Sequence, residues 1–334
     1  MRIAFIGAGR WAFTLAILLY RKKKEVILWE PREEIDIDEH KRKLLLDFPP
    51  DTEFPEDLNV TKNLEEVMAH SEIIFFAVPA QVLRNVLVKM SKFKTTFYNN
   101  RSILVSAIKG LENTTNKRMS EILNEFFTGC KIVVLGGPGI PYEIVSNVPT
   151  ALVVASNDLE AAEAIQNILS SDTIRIYTQN DVVGTELGGA LKNIYAIAGG
   201  ICDGLKLGAN AKAAVLTRGL YEMIRLGVAF NANPMTFAGL AGVGDLIVTA
   251  YSEYSRNRRL GEKIGLGMKL EEIINQSIGV IEGLTTVLSV YRLANKLRIE
   301  VPIAEAMYEI IYKRAEIDRI VKKLMARPLK YEVK

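Results

Sequence analysis

The opening of this chain narrows its fold more than any other stretch. Arg2–Ile6 (RIAFI) is a short apolar run. Gly7-Ala8-Gly9-Arg10-Trp11-Ala12 follows at once, then helical periodicity to about Arg21, then a second apolar run, EVILW at 25–29, that stops at Glu30. This order reads as strand, glycine turn, helix, strand, acid, which is the G-x-G-x-x-G/A dinucleotide fingerprint in the context it needs. Gly7 permits the tight turn, Gly9 lets backbone approach a pyrophosphate, and Ala12 is small enough for the helix to pack on the sheet. The helix N-terminus then turns its amides toward the phosphates. Glu30 stands near the expected spacing, about 20 residues on, for a carboxylate that accepts ribose hydroxyls and repels a 2′-phosphate. Arg32, two positions later, is suited to accept that phosphate. The reading is NAD, with NADP as the alternative.

Beyond this unit, residues 31–58 are charged and punctuated by Pro49, Pro50 and Pro55, and read as a short helix and an irregular loop. Further strands are expected at 71–79, 101–110, 131–139, 151–156 and 173–177, with helices from about Ala80 and over 158–169. Alternating strands and helices imply an α/β fold with a doubly wound, mostly parallel sheet of the Rossmann type. Ligands of such sheets bind at the C-terminal strand ends, here Gly7–Gly9, Pro79, Lys109 and Gly137–Gly139. From Asp181 on, helical patterns replace strands, at 181–204, 210–230, 256–264, 270–275, 280–297, 302–312 and 316–325. Two domains are therefore expected: a dinucleotide-binding domain over 1–179 and an all-helical substrate-binding and catalytic domain over 180–334.

Composition excludes several classes. The formal charge of +3 over 334 residues argues against a general nucleic-acid binder. Two cysteines, Cys130 and Cys202, form no framework, so a reduced cytoplasmic setting is expected. Arg10 interrupts the apolar N-terminus, which is wrong for a signal peptide, and no uninterrupted apolar run approaches a membrane span. No His, Cys and carboxylate cluster has metal-ligand spacing. His40 and His70, the two histidines, lie in no motif and read as surface residues. An enzyme here must move protons with Lys, Asp, Glu or Tyr.

GGALKNIYAIAGGICDGLKLG, Gly188–Gly208, reads as one helix with Lys192 set in a face of small residues. At helical spacing Lys192 shares its face with Thr185, Gly188, Gly189, Tyr195, Ala196 and Gly199. Each glycine costs a helix about 1 kcal/mol relative to alanine, so close approach of another backbone or a flat ligand is the compensating reason. A lysine on that face is poised for a lowered pKa and proton transfer, or lies at the rim of a packing seam. AGLAGVGDLIVT at 238–249 reads as a glycine-rich loop around Asp245. Ser255-Arg256-Asn257-Arg258-Arg259 opens a helix that is either a phosphate cradle or an ordinary capped, basic start.

Together these stretches resemble the bacterial-type NAD(P)-dependent glycerol-3-phosphate dehydrogenases. The resemblance rests on IGAGRWAFTLA at 6–16, FAVPAQVLR at 76–84, VSAIKGLE at 105–112, LGGPG at 135–139, the segment 180–220 around Lys192, GLAGVGDLIVT at 239–249, SRNRRLGE at 255–262, EGLTTV at 282–287 and VPIAEAMY at 301–308. The resemblance implies that Lys192 is the catalytic lysine, acting on the proton of the substrate C2 hydroxyl. It implies that Lys109 contacts substrate and cofactor, and that Gly137, Asp245, Ser255, Arg256 and Asn257 bind substrate. It places Arg10, Trp11, Arg256 and Glu282 at the cofactor, with Gly7, Gly9 and Glu30. Where the family usually has Gly-Pro-Ser/Thr-Phe-Ala, this chain has Gly137-Pro138-Gly139-Ile140-Pro141, which removes a hydroxyl at 139.

The implied activity is interconversion of sn-glycerol 3-phosphate and dihydroxyacetone phosphate, supplying glycerol 3-phosphate for phospholipid synthesis. Lys109 and Arg256, converging on Lys192, would depress its pKa as like charges. Asp245 would orient either Lys192 or a substrate hydroxyl. The partner is a small phosphorylated triose, without nucleic acid or membrane insertion, and the apolar helical half is compatible with a homodimer. Another two-domain dehydrogenase, acting on a hydroxy acid or ketopantoate, is the nearest alternative, and a non-catalytic dinucleotide sensor is the alternative of a different class.

Overall fold

The structure, a computed structural model, describes residues 2–332 other than 51, 53, 54, 56, 70, 94–101, 278 and 330. His70 and Arg101, the first residue of one expected strand, lie outside the described residues. The sheet runs β3-β2-β1-β4-β5-β6-β7-β8. Its strands are β1 (Arg2–Ile6), β2 (Glu25–Trp29), β3 (Asn59–Thr61), β4 (Ile73–Phe76), β5 (Ile103–Ser106), β6 (Lys131–Gly136), β7 (Thr150–Ala155) and β8 (Ile174–Gln179). All neighbours pair in parallel except β6 with β7. The expected doubly wound, mostly parallel sheet is thus present. Strand order reverses between β1 and β4, and the glycine turn leaves β1 at that point.

Alternation along the strands feeds two cores. Ile3, Phe5, Ile73 and Phe75 pack with α1 (Arg10–Arg21) and α7 (Leu159–Leu169) on one face. Ala4, Ile6, Ile74 and Phe76 pack with α3 (Leu64–Ala69), α4 (Leu83–Met90) and α5 (Met119–Phe126) on the other. Phe5 and Phe75 stack across the central pair at 4.9 Å. Burial of each such side chain contributes about 1.5–3 kcal/mol, and burial on both faces is why these strands read as continuous apolar runs rather than alternating ones.

Two local readings are corrected, and one strand is added to those expected; the short helix expected within 31–58 is present. The segment 31–58 holds α2 (Ile37–Leu45), and the chain beyond it adds the edge strand β3, where Val60 pairs with Leu28. Three residues are too few for a periodic signal; the pairing itself defines the strand. The first correction concerns Gly188–Gly208. Helix α8 (Val182–Gly204) stops before its end, because the chain turns left-handed at Lys206 (φ 55°) and again at Gly208 (φ 84°), where α9 (Gly208–Ala229) begins. The second is the glycine-rich stretch around Asp245. It is no open loop: α10 (Pro234–Ala238) leads into a wide π-type turn at Leu240–Gly244 and then α11 (Asp245–Tyr251).

Between β6 and β7 lies the short α6 (Pro141–Val145). The remaining helices are α12 (Arg256–Gly265), α13 (Leu270–Asn275), α14 (Glu282–Leu297), α15 (Pro302–Lys313) and α16 (Ile317–Met325). They collect around α8, whose residues from Gly184 to Cys202 are all buried. Asp181 starts α8 by accepting from the Gly184 amide at 2.8 Å. Helices α8 and α12 cross backbone to backbone: a Cβ on Gly200 would collide with the Arg258 carbonyl, and one on Gly261 with that of Ile197. That contact compensates the glycine cost in α8. Among the described residues no helix is long and apolar enough to cross a membrane.

Candidate active site

Lys192 lies in the middle of α8 and is buried. Its Nζ donates to Asp245 Oδ1 and, at 2.6 Å, to Thr249 Oγ1. Thr249 is one turn along α11 from Asp245, and its hydroxyl donates to the Asp245 carbonyl at 2.7 Å. Lys109, just beyond β5, donates to Asp245 Oδ2 at 2.6 Å and to the Gly137 carbonyl at 2.8 Å. Asp245 is 0% exposed, so its carboxylate is held by two ammonium groups in a dry place. An ammonium has three donors, so each lysine retains one for a substrate oxygen.

Burial pulls the Lys192 pKa down to about 7; Asp245 opposes the shift and Lys109 adds to it. The expected depression is present, but loss of hydration is its main cause, and Lys109 contributes where Arg256 does not. A lysine that divides near neutrality can take or give a proton. Gly188 and Gly189 create the room: a Cβ on Gly188 would collide with the Ala241 carbonyl, and one on Gly189 would press the Lys109 side chain at 3.3 Å.

The start of α12 is bound to this cluster through the residue after Lys192. Asn257 Nδ2 donates to Asn193 Oδ1 at 2.8 Å, and its Oδ1 accepts from the Gly283 amide at 3.1 Å. Ser255 is buried and caps α12, accepting from the Arg258 amide at 3.2 Å. Arg256 reaches toward Gly279 and faces Arg10 and Glu282. Loss of hydration and then Arg10 lower its pKa, while Glu282 opposes them. An anion between Arg10 and Arg256 would relieve this repulsion.

At the glycine turn, Gly7 has φ 112°, and a Cβ there would stand 2.9 Å from the Ala77 carbonyl. Only glycine suits the position. Gly9 precedes α1 without a side-chain cap, and nothing lies within 4 Å of where its Cβ would be, so backbone there is open to a ligand. Arg10 is held by Asp47 at 2.5 Å. A Cβ on Gly139 would stand 2.9 Å from the edge of the Trp11 ring. Glu282 accepts from the Ala80 amide at 3.2 Å through Oε1, while its buried Oε2 has no hydrogen-bond partner among the described residues. Burial raises its pKa. An open helix N-terminus, a close-approach glycine and a buried acceptor beside the β4 and β5 ends all fit a dinucleotide at the C-terminal ends of the strands.

Glu30 is fully buried and accepts from Arg32 Nε at 2.7 Å and Nη2 at 2.9 Å. Charge-assisted bonds contribute about 1.5–3 kcal/mol each, against about 1 for neutral ones; solvent around Arg32 puts these at the low end. His40 is not the surface residue the sequence suggested. Its Nε2 donates to the Ala8 carbonyl at 2.7 Å and stands 3.4 Å from Glu30 Oε2. Sequence reasoning also passed over Thr249, Asn193 and Asp47. Thr249 would have been visible as the i+4 partner of Asp245 had 245–251 been read as a helix.

A dinucleotide turn on a doubly wound sheet, together with a buried lysine whose pKa is drawn down to about 7, defines a nicotinamide-dependent dehydrogenase. The comparisons make the family specific. Residues 2–162 match the family model described as NAD-dependent glycerol-3-phosphate dehydrogenase N-terminus, and 181–322 match that of its C-terminus. A glycerol-3-phosphate dehydrogenase [NAD(P)+] of Thermoanaerobacter sp. is 42% identical over 337 residues, covering 100% of this chain and 99% of that one. Its counterpart in Halothermothrix orenii is 42% identical over 99% of this chain and 96% of its own. The crystal structure of the Coxiella burnetii glycerol-3-phosphate dehydrogenase superposes with a TM-score of 0.89 at 33% identity, covering 98% and 99% of the two chains. The chain belongs to the NAD-dependent glycerol-3-phosphate dehydrogenase family.

Proposed function

We propose that this protein interconverts sn-glycerol 3-phosphate and dihydroxyacetone phosphate, with residues 1–179 binding NAD or NADP and 180–334 binding the triose. One observation carries the assignment of roles: Lys192, with a pKa of about 7, shares the Asp245 carboxylate with Lys109.

The nicotinamide, when bound, supplies the hydride for reduction and receives it in oxidation. In oxidation the C2 hydroxyl proton passes to neutral Lys192 Nζ as the C2 hydride departs and the carbonyl forms. In reduction the Lys192 ammonium gives its proton to the oxygen at C2. Asp245 keeps Nζ in place on one side and Thr249 on the other, so the remaining donor faces substrate. Lys109, fixed by Gly137 and Asp245, offers a second positive charge to the developing alkoxide. Arg256, Asn257 and the start of α12 take the phosphate.

The phosphate cradle disfavours the hydroxy-acid reading, and the lysine–aspartate cluster has no purpose in a sensor. The product suits phospholipid synthesis in the cytoplasm, and a homodimer is the proposed assembly. Oxidation of NADH or NADPH with dihydroxyacetone phosphate, followed by nicotinamide absorbance, tests the assignment. Absence of turnover with both cofactors, alongside activity on a hydroxy acid, would overturn it.

A further inference from the structure

A contact outside the catalytic cluster joins the sheet to the helices at the phosphate end. Helices α11 and α12 are linked by the turn 252–255, in which the Ser255 amide donates to the Ser252 carbonyl at 3.2 Å and the Tyr254 amide to the Ser252 hydroxyl at 3.2 Å. This turn ties the helix that carries Asp245 and Thr249 to Ser255, Arg256 and Asn257. The Tyr254 ring, 37% exposed, stacks on Tyr142, with centroids 4.7 Å apart and planes at 12°. Tyr142 is fixed to the sheet. It lies in α6, whose Ile144 and Val145 are buried in the sheet core, and the Val145 carbonyl accepts from Arg21 at 3.2 Å. Helix α6 follows the turn at Gly137, whose carbonyl holds Lys109. Glu253 and Glu143 both stand close enough to act on Tyr254. Two like charges gathered there push the halves apart, so the rings, not ion pairing, make this contact.

We propose that Tyr142 and Tyr254 are positioning residues, and that their stack is a clasp across the two halves that holds the start of α12 in its phosphate-binding place. The proposal rests on the phosphate-cradle reading above and deepens it. Tyr254 directly precedes Ser255 and Arg256, so its displacement moves the amides and the guanidinium that meet the phosphate. A turn fixed before binding loses less freedom when the anion arrives. Lys192 is held separately by Asp245 and Thr249, and the glycine turn belongs to β1 and α1. The clasp therefore acts on binding of the triose and leaves proton transfer and cofactor binding as they are.

Steady-state kinetics of the full chain with dihydroxyacetone phosphate test the clasp. Tyr142→Ala should raise the KM for the triose about two- to tenfold, the worth of one aromatic stack, with kcat and the cofactor KM nearly unchanged. Tyr254→Ala should do the same. The double variant should be no worse than either single change, because each already breaks the stack. Tyr142→Phe and Tyr254→Phe keep the rings and should retain the parental KM. Hydrogen exchange of the free enzyme reads the clasp without substrate: Tyr142→Ala should speed exchange in the segment 252–258, on the other side of the contact, about two- to tenfold. An unchanged triose KM in both alanine variants, effects that add in the double variant, or phenylalanine variants as impaired as the alanine ones would overturn the proposal. So would loss of cofactor binding together with a lower melting temperature, which would reduce the pair to a general structural contact. If Tyr142→Ala does not fold, Tyr254→Ala, made in an exposed turn, decides alone. No turnover of the triose by the parent enzyme, while exchange at 252–258 still responds to Tyr142→Ala, removes the proposed reaction and leaves the clasp standing.

Discussion

Lys192 and Lys109 bind opposite oxygens of one buried carboxylate, Lys192 at Oδ1 and Lys109 at Oδ2 of Asp245. They arrive from different halves of the molecule, one from the centre of α8 and the other from the end of β5. Without Asp245 two ammonium groups would face each other with little water between them. The carboxylate therefore lets both charges stand side by side.

Asp245→Asn removes the group that holds the Lys192 pKa up. Activity in both directions should fall by about 10²–10⁴-fold. The midpoint of the kcat/KM profile for oxidation should also move to lower pH. A loss of rate with an unmoved midpoint would assign Asp245 to the substrate hydroxyl instead.

Lys192 sets the sign of the pH dependence. Its pKa of about 7 lies below the ordinary lysine value, so the free amine accumulates as pH rises through neutrality. Oxidation of glycerol 3-phosphate needs the amine, and its kcat/KM should rise through about pH 7 and then level. Reduction of dihydroxyacetone phosphate needs the ammonium and should decline over the same interval. Lys192→Ala should abolish both limbs while NADPH affinity, measured by fluorescence titration, stays nearly unchanged. Loss of cofactor binding along with turnover would reduce Lys192 to a structural role.

Thr249→Val keeps the side-chain shape and removes a hydroxyl that accepts from Lys192 and donates to the Asp245 carbonyl. A buried donor left unmet costs about 1–3 kcal/mol. The ammonium needs that acceptor more than the amine does, so the Lys192 midpoint should fall. Steady-state profiles of the variant and of Thr249→Ser, which restores the hydroxyl, check this. A midpoint unchanged in Thr249→Val would set the idea aside.

Gly261→Ala tests the contact between α8 and α12. The added methyl meets the Ile197 carbonyl, and overpacking of this kind costs about 1–3 kcal/mol. Displacement of α12 also strains the Asn257–Asn193 bond, so the substrate KM should rise as the melting temperature falls. Calorimetric melting and substrate kinetics measure both effects. A variant as stable as the parent would mean that the helices separate freely.

The glycine turn and the sheet were legible in sequence because their causes are local. Gly7 answers to its own φ, and Ile3 to Ile6 feed two cores through simple alternation. Lys192 was visible because small residues surround it at helical spacing. Residues 238–249 were not, because glycine reads as a loop signal wherever it clusters. Gly242 is there for close approach to the Phe237 backbone, and α11 is stabilised by packing against neighbours rather than by propensity. His40 was missed for a similar reason: its role depends on Ala8 and Glu30, which no spacing rule joins to it.

The sequence by itself determined which segments become strands and helices around the dinucleotide turn, and which lysine sits in a seam of small residues. Those outcomes follow from side-chain size, backbone freedom and periodicity within a few residues. Tertiary structure alone decided that Asp245 lies between two lysines and that Arg32 occupies Glu30. Loss of water is what gives Lys192 its pKa, and water is excluded only when α8, α11 and the end of β5 close on one another.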